Sequence, residues 1–148
     1  MATSTVWSHE DFLISTDREL LDEEAVWEFL RTSSWAAGIP KQLVSRSIAN
    51  SMCFGLYKAG TQIGFARVTT DYATFGYLAD VYVLENYRGL GLGRRLVESA
   101  MSHPQLQGFR RWLLATSTAP WLYAKLGWRP LGNPGIFMEV LVPDVYRR

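Results

Sequence analysis

The chain has 148 residues, 48% of them apolar and 20% charged, with a formal net charge of +1. That length and apolar share predict a single folded domain over 1–148 with a full hydrophobic core, and they exclude a disordered chain. The near-neutral charge speaks against nucleic acid, no apolar run approaches the roughly 18 residues of a membrane span, and neither a secretory leader nor a second cysteine beside Cys53 is visible, so a cytoplasmic protein is expected.

In chain order, Phe12, Ile14 and their neighbours predict a first strand. Asp22 is placed to cap a helix, with Glu23 and Glu24 in the first turn, where the helix dipole favours acids. Val26, Trp27 and Leu30 form its apolar stripe. A loop over 32–39 leads to Pro40, suited to the first position of a second helix whose inner face carries Leu43, Val44, Ser47 and Ile48. A hairpin follows, outward over 51–58, turning at 59–62 and returning over 63–70. A turn at 71–74 enters another strand at 77–83.

Beyond that strand, Leu92, Leu96, Val97, Ala100 and Met101 recur at helical spacing, and His103-Pro104 ends the helix. Residues 111–116 read as a buried strand, 120–126 as a short helix closed by Gly127, and 136–142 as a last strand. The order implies an α+β domain, a mixed and mostly antiparallel sheet flanked by helices. The two strands on either side of the 92–101 helix should be parallel neighbours, because a helical crossover joins them.

The junction between the 77–83 strand and that helix reads Arg88-Gly89-Leu90-Gly91-Leu92-Gly93. Alternate glycines leave main-chain N–H groups uncovered, and the helix start adds unpaired N–H groups and a positive dipole end. Together they form a phosphate cradle. Arg88, Arg94 and Arg95 oppose the dipole unless a polyanion binds, or else point outward where salt screens them. A dinucleotide fingerprint needs a third glycine where Arg94 or Leu96 stands, and no Lys-Ser/Thr follows for a P-loop, so both familiar nucleotide loops are excluded.

What remains, Arg-x-x-Gly-x-Gly, resembles the pyrophosphate loop of the GNAT N-acetyltransferase superfamily. Its entry, Asp80-Val81-Tyr82-Val83-Leu84-Glu85-Asn86-Tyr87, is similar to that family's fourth strand. About thirty residues on, Ala119-Pro120-Trp121-Leu122-Tyr123-Ala124-Lys125-Leu126-Gly127-Trp128 resembles its Ala-x-x-x-Tyr-x-Lys-x-Gly-Phe element, with Trp128 in place of Phe. The resemblance implies that the parallel strands splay apart around the pantetheine arm of acetyl-CoA. It further implies cofactor contacts from Tyr82, Val83, Arg88, Gly89, Leu90, Gly91, Leu92, Gly93, Arg94, Thr116 and Tyr123. Thr116 stands where many members carry Asn.

Acyl transfer from a thioester to an amine needs a neutral amine, a stabilised oxyanion and a proton for the departing thiolate. Neutralising a lysine-like amine of pKa ~10.4 near pH 7.4 costs about 4 kcal/mol, so a base or water chain must help. By resemblance, the oxyanion donor is a main-chain N–H around Tyr82 and Val83, and Tyr123 protonates or hydrogen-bonds the sulfur. Asp80, amid Leu78, Ala79, Val81 and Val83, is the candidate base, since an apolar setting favours proton uptake. The alternatives for Asp80 are a solvent-facing carboxylate or one paired with an arginine. Trp35 and Ile39, in the loop between the first two helices, are candidates to line the acceptor pocket.

Cys53 reads as a buried, inert thiol, and His9 and His103 lack partners at metal-ligand spacing, so no metal is expected. The function implied is direct acetyl transfer from acetyl-CoA to a primary amine, with a small molecule the first choice. A protein amine, or an acyl-CoA sensor without turnover, stays open, as does a homodimer.

Overall fold

Residues 4–147 are described here in a computed structural model of the chain. They form a six-stranded sheet whose strands lie side by side in sequence order. The elements are β1 (Thr5–His9), β2 (Phe12–Ser15), α1 (Glu23–Leu30), α2 (Lys41–Ala49), β3 (Met52–Lys58), β4 (Thr61–Thr70), β5 (Phe75–Val83), α3 (Leu92–Ser102), β6 (Arg111–Leu113) and α4 (Pro120–Ala124). All neighbouring pairs are antiparallel except β5 and β6, which run parallel on either side of the α3 crossover. The mixed sheet expected from the order of elements is the one found.

Local chemistry accounts for most of these boundaries. Asp22 Oδ1 accepts the Ala25 N–H at 3.0 Å and starts α1, with Glu23 and Glu24 in the first turn. Pro40 lies one place earlier than expected. It caps α2 in an extended conformation, and Lys41 is the first helical residue, held by an ion pair to Glu24. Ala59 and Gly60 take φ of 48° and 86°, so a two-residue turn joins β3 to β4.

Two apolar cores sandwich the sheet. On one face α3 buries Leu92, Leu96, Val97 and Ala100 against Phe54, Leu56, Ala66, Val68 and Leu78. On the other, α1 and α2 bury Val26, Leu30, Val44 and Ile48 against Cys53, Phe65 and Tyr82. Because both faces are covered, residues 62–66 of β4 are buried without alternation.

Three expectations need correcting. An extra strand, β1, precedes the first one foreseen; it turns at Glu10, whose φ of 55° is unusual for a non-glycine. β6 covers only Arg111–Leu113, not 111–116, and is partly exposed. No strand forms over 136–142: a 3-10 turn, Pro134–Ile136, ends there, Phe137 is extended, and the residues after it join no ladder.

The shortness of β6 has a physical cause. It pairs with β5 at Phe75↔Arg111, Gly76↔Trp112 and Tyr77↔Leu113, and there the ladder stops. A side chain on Gly76 would come within 2.9 Å of the Phe109 and Trp112 rings, so glycine lets these aromatics close over the junction. Past Tyr77, β5 runs on to Val83 with β4 as its sole ladder partner. The pairing of the two parallel strands therefore ends at Tyr77 and Leu113.

Candidate active site

The end of β5 leads to the glycine loop. A 3-10 turn, Glu85–Tyr87, carries the chain from β5 to Arg88, whose Nε–H donates to the Val83 carbonyl at 2.9 Å and ties the loop to the strand end. Gly89 and Gly91 have φ of 84° and 77°, and a side chain at either would meet open space. The backbone conformation, not crowding, therefore selects glycine there. Gly91 is the residue that caps α3.

Arg95 is the first residue of this stretch whose N–H bonds back, to the Gly91 carbonyl at 3.2 Å. Among the described residues the amides of Gly89, Leu90, Gly91, Leu92, Gly93 and Arg94 have no main-chain partner. They surround the positive end of an 11-residue helix. An anion with several oxygens satisfies such a set. Gly93 differs from its neighbours: an added Cβ would lie 3.8 Å from Leu122 Cδ2 and 4.0 Å from Val83 Cγ2, ordinary contact distances. It marks where α3, α4 and the end of β5 converge.

Arg94 and Arg95 are less committed to the loop than their position suggests. Arg94 Nε–H donates to Glu98 at 2.7 Å along the exposed side of α3. Arg95 lies 3.8 Å from the same carboxylate and stacks over Trp7 of β1 at 5.3 Å.

Tyr123 lies on α4 and packs against the α3 core. Its ring meets Trp128 edge-on at 6.1 Å, and Trp128 meets Trp112 of β6 at 6.0 Å. The Trp128 amide donates to the Tyr123 carbonyl at 3.1 Å, and its indole Nε1–H to Met101 Sδ at 3.1 Å. Burial pushes the Tyr123 phenol up from its ordinary pKa, so it keeps its proton at neutral pH. Thr116 is exposed, and its hydroxyl accepts the Ala119 N–H at 3.2 Å, shaping the loop into α4.

The opposite side of β5 holds Asp80. Between the pairs Phe65↔Tyr82 and Arg67↔Ala79, two residues of β5 face one of β4. This bulge puts Asp80 at φ 55° and re-aims its side chain. Asp80 Oδ2 accepts Arg67 Nε–H at 2.9 Å, with only 10% of the carboxylate side chain exposed. Asp80 Oδ1 accepts the indole N–H of Trp35 at 2.9 Å. The apolar setting expected for Asp80 is thus replaced by an arginine on one oxygen and an indole on the other. Arg67 is itself braced by Ser51 Oγ and Thr69 Oγ1, both at 3.1 Å.

Two candidates chosen for different reasons, Trp35 and Asp80, therefore touch. Phe29 links them to the motif strand: it stacks on Tyr82 at 3.8 Å and lies 6.2 Å from Trp35. Tyr82 and Val83 are buried, and burial raises the Tyr82 phenol. Ile39 is not brought to this wall by any contact; it packs on the α1–α2 core, and its carbonyl accepts the Trp27 indole N–H at 2.9 Å. Arg67 and Phe29 escaped the sequence reading. A lone charge inside the apolar run of β4 was the available signal for Arg67. Cys53 is buried, its thiol pushed up to about 12 by desolvation, which leaves it unreactive.

Comparison with known proteins follows this geometry. The model of the acetyltransferase (GNAT) domain matches residues 49–130. A Gibberella zeae protein named as a candidate acetyltransferase is 34% identical over 142 residues, covering 80% of this chain and 79% of its own. A crystal structure from Xanthomonas campestris pv. campestris, described as a candidate acetyltransferase of the GNAT family, superposes with a TM-score of 0.91 at 45% identity. It covers 95% of this chain and 100% of its own. A GNAT family acetyltransferase from Elizabethkingia anophelis, crystallised with acetyl-CoA, shares the fold at a TM-score of 0.63 and 14% identity, covering 82% and 78%.

Proposed function

The chain belongs to the GNAT acetyltransferase family, and on that premise we propose that it transfers the acetyl group of acetyl-CoA directly to a primary amine of a small molecule. One observation carries the reading: among the described residues six main-chain amides without main-chain partners, from Gly89 to Arg94, lie at the start of α3, beyond the point where the β5–β6 ladder ends. A diphosphate fits that cradle by charge and by hydrogen-bonding capacity. The unpaired edge of β5 beyond Tyr77 offers main-chain groups to an amide-bearing arm. The solved Elizabethkingia relative with acetyl-CoA bound supports the same choice of ligand.

Acetyl-CoA, when bound, supplies an acetyl group already activated as a thioester. The rest falls to the chain. The amides of 89–94 hold the diphosphate, and Arg88 keeps the loop against Val83. Tyr123, kept protonated by burial, holds its proton for the sulfur. The main chain near Tyr82 and Val83 supplies the N–H that steadies negative charge on the acyl oxygen.

Asp80 fixes the amine. A carboxylate has about four acceptor directions, and Trp35 and Arg67 occupy two. Those left accept the amine N–H and pass its proton on, directly or through water. Phe29, Trp35 and Tyr82 give the acceptor an aromatic wall. A wall of three rings and one carboxylate suits a compact amine. The test is a panel of small amines and lysine peptides with acetyl-CoA, read as thiol release. Turnover of a small amine supports the proposal, whereas turnover of peptides alone moves the acceptor to protein. Tight coenzyme binding with no turnover turns the chain into a sensor.

A further inference from the structure

Two guanidinium groups converge on Ser51, a residue only 3% exposed in front of β3. Arg67 Nη1–H donates to its Oγ at 3.1 Å, and Arg18 Nη2–H donates to its carbonyl at 2.6 Å. Arg67 also pairs with Asp80 through Nε. Asp80, Arg67, Ser51 and Arg18 therefore form one unbroken chain of hydrogen bonds. The near end of that chain holds the carboxylate placed against the amine, and the acetyl transfer accounts for it. The far end, Arg18, is left without a task.

Stability of the fold does not explain Arg18. The side chain is exposed and reaches 33 positions along the sequence for a single hydrogen bond. Fixing so long a side chain at the surface offsets most of what one such contact contributes. Among the described residues no acid lies within ion-pair distance of it. Asp17, its neighbour, accepts the Glu19 amide at 2.9 Å instead.

The charges along the chain say what would fit. Asp80 offsets Arg67, so one positive charge remains, at Arg18. All but one of the Arg18 N–H groups are without a partner among the described residues. Exposed Thr69, whose hydroxyl accepts Arg67 Nη1–H at 3.1 Å, keeps its own O–H to donate. A planar fork of N–H donors matches a carboxylate. A negative group at Asp80 and a positive one at Arg18 are together complementary to a molecule that carries an amine and a carboxylate.

We propose, resting on the reading of the chain as a small-amine acetyltransferase, that the acceptor is an amino acid whose carboxylate is held by Arg18, beside the Thr69 hydroxyl, while Asp80 holds its amine. Arg67, between them, fixes the separation of the two ends. The chemistry is unchanged: the amide N–C bond forms and the thioester C–S bond breaks. The amine proton leaves by way of Asp80, and the thiolate takes one from Tyr123. The carboxylate serves recognition alone.

Thiol release with acetyl-CoA and matched acceptors tests this, phenylalanine against phenethylamine and leucine against isoamylamine. The amino acid of each pair should show a kcat/KM at least tenfold higher. In Arg18→Ala that ratio should fall at least fivefold, through KM and not kcat, and in Arg18→Glu it should fall further. An arginine that only supported the fold would slow both members of a pair alike, and an unchanged ratio overturns the proposal. A parent enzyme that prefers the plain amines also overturns it, while acetyl transfer stands. Turnover of neither class, with the coenzyme bound, is instead the failure of the underlying reading, and this one falls with it. Should the variants misfold, the unaltered protein still answers. Added salt should shrink the ratio, because exposed charges are screened, and a ratio indifferent to salt would sink the idea.

Discussion

Trp35 and Asp80, 45 positions apart in the chain, share a hydrogen bond of 2.9 Å that joins the helical hairpin to the bulge of the motif strand. Trp35 is 53% exposed, so its ring adds little to the core, and its main effect is to aim the carboxylate. Trp35→Phe keeps the ring and loses the donor, a change of about 1 kcal/mol. The expected result is a five- to tenfold fall in kcat/KM for the amine, with acetyl-CoA affinity and Tm nearly unchanged. Steady-state kinetics with calorimetric titration of the coenzyme separates the two.

Asp80→Ala should behave differently. It leaves Arg67, 19% exposed, without its carboxylate. Removing one partner of a largely buried pair costs about 3 kcal/mol. Urea denaturation should show that loss, and Arg67→Met together with Asp80→Ala should recover much of it. If the single variant proves as stable as the parent, the pair has no structural role.

The three glycines of the loop should respond unequally. Gly91, at φ 77°, caps α3, and any side chain there is strained and stands over the cradle. Gly91→Val is expected to weaken coenzyme binding at least tenfold. Gly93 has ordinary space around it, and alanine suits a helix better by up to about 1 kcal/mol. Gly93→Ala should therefore raise Tm by a few degrees, as differential scanning calorimetry can show.

Tyr123→Phe should lower kcat ten- to a hundredfold and leave the coenzyme dissociation constant within a factor of two. Because burial raises the phenol pKa, Tyr123 stays protonated through the pH at which a free tyrosine ionises. The falling limb that this group gives to the pH–rate profile of the parent enzyme should consequently lie at higher pH than the ionisation of a free tyrosine.

Cys53 makes a prediction about alkaline stability. Desolvation raises its thiol from 9.0 to about 12. A raised folded-state value means the stabilisation is complete below pH 9 and declines as pH climbs towards 12, by at most about 1.4 kcal/mol per unit. Tyr57, raised from 10.0 to about 12 by burial, adds to the decline above pH 10. Denaturant midpoints at pH 8, 9 and 10 should fall in that order, and less steeply in Cys53→Ala below pH 10. Iodoacetamide should leave the folded thiol untouched.

The parts of this protein that could be foreseen are those whose physics is local. The cradle needs alternate glycines followed by a helical stripe, and both are written in consecutive residues from Arg88 onward. Asp22 announced its own cap, and the β3–β4 hairpin its own turn. The acceptor wall could not be assembled that way, since Trp35, Arg67 and Asp80 come from three segments and meet only through the tertiary fold. The bulge at Asp80 leaves no mark in a stretch that reads as plain strand. Likewise, the 136–142 stretch has a strand's alternation, but pairing depends on what stands beside it, and no strand forms there.

The early end of the β5–β6 ladder also has a mechanical consequence. Beyond residue 113 no described residue joins the sheet ladder, and the chain is held by packing of Leu114, Tyr123, Leu126 and Trp128 on the α3 core and of Tyr146 on the α1–α2 core, while β1 to β5 form an antiparallel block. The part that carries Tyr123 is thus joined to the sheet body by side-chain packing and not by strand pairing. A ligand bridging α3 and α4 would rivet the two, so unfolding that begins beyond β6 in the free protein should become a single concerted event once the ligand is bound.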